Sequence, residues 1–389
     1  QKGVGSIAVV DLDLAGRFSS SELNAGGCRA TWWHPINVQL SWLSLNFYRS
    51  IASEIQFFQN GYLFLYSKRK WDEALARRDL YRSLQIPVDY LKPKEIKDRL
   101  PEFENLKGVS GGTYSSQDGV LDPHLLKEFY RQGAKVRGVR FWDRIWVNEI
   151  KTEENKVREI KALHQEVTPL SEENLESILT QRPRTQGPGW KEIVFEPKIL
   201  LNCTGAWLPL SGALYRRPLP ILPVRRQISL FASQEEDFSG RGMIVDASGL
   251  YFHPEGNKSG MILAGYSNRD ERPGYNFQYD GERFFDRKIW LRLYRRGARR
   301  HFSAIHHLRG WAGLYAVSPD RSGILWQVSG MENLYELGGA TGRGVMQSYA
   351  LGLAMSELIV DGKFSTIDLG ALHGDRFNQA ALVEENLDI

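Results

Sequence analysis

The sequence predicts an α/β protein in which a discontinuous, Rossmann-like nucleotide-binding domain carries an inserted α+β domain built on a mostly antiparallel sheet. Three observations predict it. The chain opens on IAVVD, an apolar β-branched run closed by Asp11, the pattern of a buried parallel strand. Similar strands ending in small-residue turns recur mid-chain as ILLNCTGAW and near the end as NLYELGGATGRG. Between these nucleotide-type pieces lies strand-rich sequence of another kind.

The elements follow in order. A strand such as IAVVD is the second strand of a dinucleotide-binding unit. A first strand and its glycine-rich turn are therefore expected about 20 residues before Asp11. The polar loop GRFSSSELNAGG then leads to a helix with Pro35 at its first position and apolar residues at helical spacing. In FFQNGYLFLYS, the Asn60-Gly61 pair between apolar runs predicts a hairpin. KWDEALARRDLYRSLQ predicts one amphipathic helix. In DPHLLKEFYRQGAKVRGVRF a helix with Asp122 as N-cap and Pro123 at N1 precedes a strand. The polar region 149–198, with SEENLESILTQRPRTQGPGWKE, reads as a surface insertion between strands of one sheet. RQISLFAS and GMILAGYS predict strands of a second antiparallel sheet over 218–317, interrupted by the helix ERFFDRKIWLRLYRRGARR. VMQSYALGLAMSELIVDG predicts the closing helix. Residues 1–55, 117–212 and 309–389 are thus assigned to the nucleotide domain, and 56–116 and 213–308 to the inserted domain.

Composition narrows the function classes. A net charge of +4 over 389 residues, with both signs spread along the chain, argues against nucleic acid as a partner. Cys28 and Cys203 are the only cysteines, too few for a disulfide framework, which favours a reducing compartment. The expected location is the cytoplasm, or the mitochondrion in a eukaryote. No apolar run is long enough for a transmembrane segment. No Cys/His spacing fits a metal, and the neighbours His306 and His307 would point to opposite faces of a strand. No GxSxG elbow is present.

Four segments carry the chemistry. Asp11 suits an acceptor for ribose hydroxyls, or is an acid that simply ends a strand. SSSELNAGG offers hydroxyls and a side-chain-free backbone to a flat or anionic ligand, or is a flexible loop. Thr204-Gly205-Ala206 ends a strand where ligands of open α/β sheets sit, or is an ordinary tight turn. GGATGRGVMQS places glycines and Arg343 at a helix N-terminus, where free N–H groups favour negative charge, or forms a glycine-rich cap packed on a sheet.

Taken together, VVDLD, SSSELNAGG, QDGVLDP, LLNCTGAW, LPILPVRRQ, RGWAGLYAVSPD and GGATGRGVMQS resemble the FAD-dependent oxidoreductases of the D-amino-acid oxidase superfamily. The similarity is to the branch of glycine oxidase, sarcosine oxidase and dimethylglycine dehydrogenase. The ending KFSTIDLGALHGDRF also resembles FAD oxidoreductase-domain proteins linked to assembly of respiratory complex I.

The resemblance implies a glutathione-reductase-type FAD domain and non-covalent FAD. Asn24 stands where dimethylglycine dehydrogenases carry a linking His, and Gly313 where monomeric sarcosine oxidases carry a linking Cys. It further implies Asp11 at the adenosine ribose, Ser21 near the pyrophosphate and Val147 at the adenine. Thr204, Gly205 and Ala206 would lie along the pyrophosphate and ribityl chain. Asn24, Ala25, Gly26 and Gly27 would line the flavin near substrate, and Gly342, Arg343, Gly344, Val345 and Met346 would hold its N1/C2 side. Where glycine oxidase places an Arg after WAGL to clamp a carboxylate, this chain has Tyr315. Tyr251, His253, Arg309 and Tyr315 are the expected catalytic-pocket residues, with Arg225 a further candidate. The implied reaction is oxidation of the C–N bond of a small amine or amino acid by hydride transfer to flavin N5. Oxygen or an electron-acceptor partner would then reoxidise the flavin. The alternative is an FAD-binding assembly factor with little activity.

Overall fold

Residues alternating between two faces organise the largest element, an eight-stranded sheet. The computed structural model describes residues 5–166, 170–181, 189–234, 238–256, 260–267 and 270–387, with the side chains of 181 and 298–300 excepted. The strand order in this sheet is Ile305–Val317, Leu222–Ser233, Met261–Tyr266, Leu250–Pro254, Met243–Val245, Tyr62–Tyr66, Gly111–Ser115 and Asp89–Leu91. All neighbours are antiparallel except Met243–Val245 beside Tyr62–Tyr66. This is the second antiparallel sheet expected over 218–317, extended by strands from 62–115.

Because side chains alternate, the sheet has two different surfaces. Leu63, Leu65, Ile244, Phe252 and Ile262 face one way and pack with Phe284, Ile289 and Leu293 of the helical stretch 282–301. That core accounts for the single helix expected inside the sheet sequence. The opposite surface carries Tyr62, Phe64, Tyr66 and Tyr251 and joins the core beneath helix Pro35–Ser50. One polar-tipped face therefore looks toward the remaining elements.

Those elements are smaller. Ala8–Val10 pairs in parallel with Arg140–Trp142. Leu200–Asn202 pairs in parallel with Leu334–Gly338, which also pairs antiparallel with Ile324–Gln327. Helix Pro35–Ser50 and helix Gly344–Asp361 are joined at their starts, where Gln347 donates to the Asn37 carbonyl at 3.3 Å and the Ser41 hydroxyl at 3.2 Å. Helix Gly344–Asp361 ends at Gly362, which takes the left-handed φ of 69°. Asp122 caps helix Pro123–Val136 as its sequence demands, accepting from the His124 and Leu125 amides at 2.9 and 3.1 Å.

Three sequence expectations change. Asn60-Gly61 does not close a hairpin. Gly61 adopts φ 86°, but the turn carries the chain from a bridge between Phe58 and Val120 into the central strand Tyr62–Tyr66. The Gly61 amide donates to Asp118 and its carbonyl accepts from Met243, so non-local pairing captures the strand. The amphipathic segment after it forms two helices, Lys68–Leu75 and Arg78–Ser83. The polar stretch 149–198 is not a plain loop: Ile145–Glu153, Lys156–Gln165 and Trp190–Phe195 form an antiparallel sheet of their own, with helix Glu172–Gln181 between the last two strands. Its RPRTQGP part, residues 182–188, lies outside the described residues.

Candidate functional site

The polar-tipped face of the large sheet meets the loop 16–34 and the start of helix Gly344–Asp361. Strand pairing decides which side chains share that face. Val224 is opposite Tyr315, Arg226 opposite Gly313, Ile228 opposite Trp311, and Ile228 also opposite Gly265, which in turn faces Tyr251. Tyr251 continues through Val245 to Phe64. Tyr315, Arg226, Tyr251 and Tyr62 thus stand on one surface.

The loop is held against it by its own polar atoms. The Asn24 side chain donates to the Ser20 and Ser21 carbonyls at 3.0 and 2.9 Å and accepts from the Gly26 amide at 2.7 Å. Ser20 donates to the Leu314 carbonyl, and the Trp311 indole to the Leu23 carbonyl at 3.0 Å. His253 Nε2 lies 2.8 Å from the Ala25 carbonyl and Nδ1 2.7 Å from that of Pro254. Burial favours its neutral ring, against the pull of the two carbonyls. A neutral ring carries a single N–H, so it donates to one of these two carbonyls and not to both.

Small residues let the surfaces approach. A Cβ on Gly27 would overlap the Tyr62 hydroxyl. Gly342 has φ 80°, and a Cβ there would enter the Tyr315 ring. Gly27→Ala is expected to displace Tyr62 and cost about 1–3 kcal/mol, read as a lower denaturation midpoint.

Arginines without acidic partners dominate the charge here. Arg29 is fully buried, its Cζ 3.5 Å from the Trp32 ring centroid and 4.4 Å from that of Phe64. Its Nη1 donates to the Thr31 carbonyl at 3.0 Å, while Nε and Nη2 have no partner. Arg343, just before helix Gly344–Asp361, is also buried, with Cζ 4.6 Å from the Trp32 ring and Nε and Nη2 unpartnered. Burial lowers its pKa to about 10, which leaves it charged at neutral pH. Arg226 lies with Cζ 5.1 Å from the Tyr315 ring; Nη1 donates to the Arg225 carbonyl at 3.0 Å and Nε is unpartnered. None of these three guanidiniums has a carboxylate within 4 Å among the described residues. The hydroxyls of Tyr62, Tyr251 and Tyr315 likewise have no hydrogen-bond partner there.

The carboxyl of Asp118 is fully buried beside this group, where it accepts from the Ala30 amide at 2.9 Å and the Thr31 hydroxyl at 3.3 Å. Burial raises its pKa to about 7, against the amide and the Arg29 charge.

The other expected residues are placed as follows. Asp11 is exposed at the end of Ala8–Val10, accepting from the Asp13 amide at 3.1 Å. Ser21 is exposed on the loop, and Val147 lies in strand Ile145–Glu153. Thr204 bonds Asn202 and Ser211 at the head of the short turn that holds Gly205 and Ala206. Val345 accepts the Tyr48 hydroxyl at 2.6 Å, and Met346 is buried in the core under the sheet. The two arginines of the expected pocket lie as follows. Arg225 is occupied by Glu271 at 2.7 Å and Asp280 at 3.0 Å. Arg309 is exposed farther along the strand, against Trp311.

Sequence reasoning missed Arg29, Trp32, Tyr62 and Arg226. The signal for Arg29 was an arginine inside the apolar run CRATWW. For Arg226, one residue from the expected Arg225, only the register with Gly313 and Tyr315 decides. Cys28 is buried and Cys203 exposed, both free. Among the described residues no group of His, Cys, Asp or Glu is placed to hold a metal, and no helix is long and apolar enough to cross a membrane.

Comparison with known proteins gives the family and the fold. FAD-dependent oxidoreductase domain-containing protein 1 of Xenopus laevis is 26% identical over 412 residues, covering 100% of this chain and 80% of that protein. The Mus musculus protein of the same name is 25% identical, covering 99% and 81%. Among solved structures, L-proline dehydrogenase from P. horikoshii superposes with a TM-score of 0.77 at 21% identity, covering 97% of this chain and 92% of that one. Glycine oxidase from Geobacillus kaustophilus gives 0.75 at 17%, covering 96% and 93%. These two likenesses establish the fold. The sequence pattern of the family described as DAO, FAD dependent oxidoreductase, matches residues 1–358. The chain belongs to that family of FAD-dependent oxidoreductases.

Proposed function

We propose that this chain oxidises the C–N bond of a small amine or amino acid that bears a carboxylate. The observation that carries the reading is the set of guanidiniums without acidic partners, Arg29, Arg226 and Arg343, gathered with the free hydroxyls of Tyr62, Tyr251 and Tyr315. Buried cations with unmade hydrogen bonds are costly unless an anionic ligand completes them. Structural neighbours named for glycine and proline oxidation support the amino-acid class.

The residues fit a flavin. Arg343 and the start of helix Gly344–Asp361 would meet its electron-rich N1/C2 side, with Gly342, Gly344, Val345 and Met346 around it. Asn24, Ala25, Gly26 and Gly27 would lie along the ring. Asp11 would take the ribose, and Ser21, Val147, Thr204, Gly205 and Ala206 the rest of the dinucleotide. A bound FAD supplies the two-electron acceptor for the C–H hydride. Arg226 and Tyr315 would hold the substrate carboxylate, with Tyr251 beside them. Phe64 and Trp32 exclude water from the guanidiniums. Orientation of the substrate, with its amine uncharged, does most of the remaining work.

The test is an absorption spectrum of the FAD-loaded protein before and after anaerobic addition of glycine, sarcosine, dimethylglycine and proline. The flavin band is expected to bleach with a carboxylate-bearing member and to persist with ethylamine. A band that no amine bleaches would overturn the reading and favour a binding role without catalysis.

A further inference from the structure

The chain continues past the family match at residue 358 and returns to the site. Its last described residues run back along the start of helix Pro35–Ser50. Glu385 is 1% exposed there. Its carboxylate accepts from the Trp33 amide at 3.1 and 3.2 Å, the His34 amide at 3.1 Å and the Asn37 side chain at 3.1 Å. It also accepts from the Leu387 amide at 3.0 Å. Trp33 and His34 immediately precede Pro35, so the charge sits where a helix N-terminus favours an anion.

Neighbouring bonds keep the segment in place. The Glu385 amide donates to the Asp320 carbonyl at 2.9 Å, the Val383 amide to the Asp320 carboxylate at 2.9 Å, and the Ser322 hydroxyl to the Val383 carbonyl. Lys70 donates to the Asn386 carbonyl at 2.9 Å and lies over the Trp33 ring. On its other side, the backbone that Glu385 grips belongs to the short stretch 29–34. That stretch carries Arg29 and the Trp32 ring, and both buried guanidiniums touch that ring.

We propose that residues 383–387 brace the cofactor pocket, with Glu385 as a positioning residue that sets Trp32 and, through it, Arg29 and Arg343. The proposal rests on the FAD reading of the site above. Glu385 acts in two ways. It fixes the Trp33 and His34 amides, and it is a buried anion behind the stretch 29–34 that carries Arg29 and Trp32. Without that anion, the cationic pocket would hold a reduced, negatively charged flavin more strongly relative to the oxidised one.

The test uses the full chain with Glu385→Gln, which keeps the shape and removes the charge, and Glu385→Asp as the conservative variant. Hydrogen exchange at residues 33 and 34 is read without cofactor. FAD affinity is read by quenching of flavin fluorescence, and the flavin midpoint potential by dye equilibration. For Glu385→Gln, faster exchange at 33 and 34, FAD binding weakened about tenfold and a more positive potential are expected. Glu385→Asp should recover part of each. Faster exchange with unchanged affinity and potential would make the segment purely structural and overturn the proposal, as would unchanged exchange. A wild-type chain that does not take up FAD would fail the cofactor reading itself. The wild-type titration separates that failure from failure of the brace.

Discussion

Replacing Arg226 with Met is expected to lower kcat/KM for a carboxylate-bearing amine about 100-fold, mainly through KM. Arg226 is the arginine of the sheet face that is not spent on an acidic residue, and its guanidinium lies over Tyr315. The neighbouring Arg225 is held by Glu271 and Asp280 and offers nothing comparable. A substrate carboxylate that loses a half-buried, bidentate-capable partner forfeits a large share of its binding energy, and lysine's point charge replaces a planar fork poorly. Arg226→Lys should therefore recover only part of the loss. Steady-state kinetics with an amino acid and with an uncharged amine of the same size would check this. An equal KM for wild type and Arg226→Met on the amino acid would remove Arg226 from substrate binding.

Arg376→Met is expected to destabilise the protein by about 3–5 kcal/mol, the range for breaking a buried ion pair from one side. Arg376 and Asp320 are both fully buried side chains joined at 2.7 and 3.0 Å. The same guanidinium donates to the carbonyls of Leu372, His373, Ser322 and Gly323. Methionine fills the volume but takes the donors from those carbonyls and leaves the buried carboxylate without its counter-charge. Burial alone would raise the Asp320 pKa; the Arg376 bond and charge and the Val383 and Ser322 amides outweigh it and hold the carboxyl below its ordinary range. With the folded-state pKa depressed, the contribution is present above the unfolded carboxylate value, about 3.9. It is lost as pH falls from there through the folded value. Urea denaturation at pH 7 and at acid pH should show the wild type losing stability on acidification more steeply than Arg376→Met. Parallel acid sensitivity in both would mean that Asp320 draws its stabilisation from elsewhere.

Much of the scaffold was legible in the residues because local rules agreed with the final packing. Asp122-Pro123 and Pro35 start the helices they predict, and the glycine-rich GGATGRG does precede a long helix. The alternation in RQISLFAS and GMILAGYS belongs to paired strands of one sheet. Asn60-Gly61 failed because turn chemistry specifies a bend and not the partner of the strand that follows. Tyr62–Tyr66 found its neighbours at Gly111–Ser115 and Met243–Val245, far away in the chain.

The sequence by itself determined the order of α/β and strand-rich pieces, the family and the expectation of a flavin, because these reside in short motifs and periodicity. Only the tertiary structure decided which polar groups of the face are free. Arg225 and Arg226 are adjacent and chemically identical, yet side chains alternate across a strand. Pairing with Glu271 and Asp280 occupies one, and register with Gly313 and Tyr315 positions the other. Glu385 reaches the start of helix Pro35–Ser50 across some 350 residues of chain. No local pattern encodes such a contact, because its energy exists only once both ends are packed together.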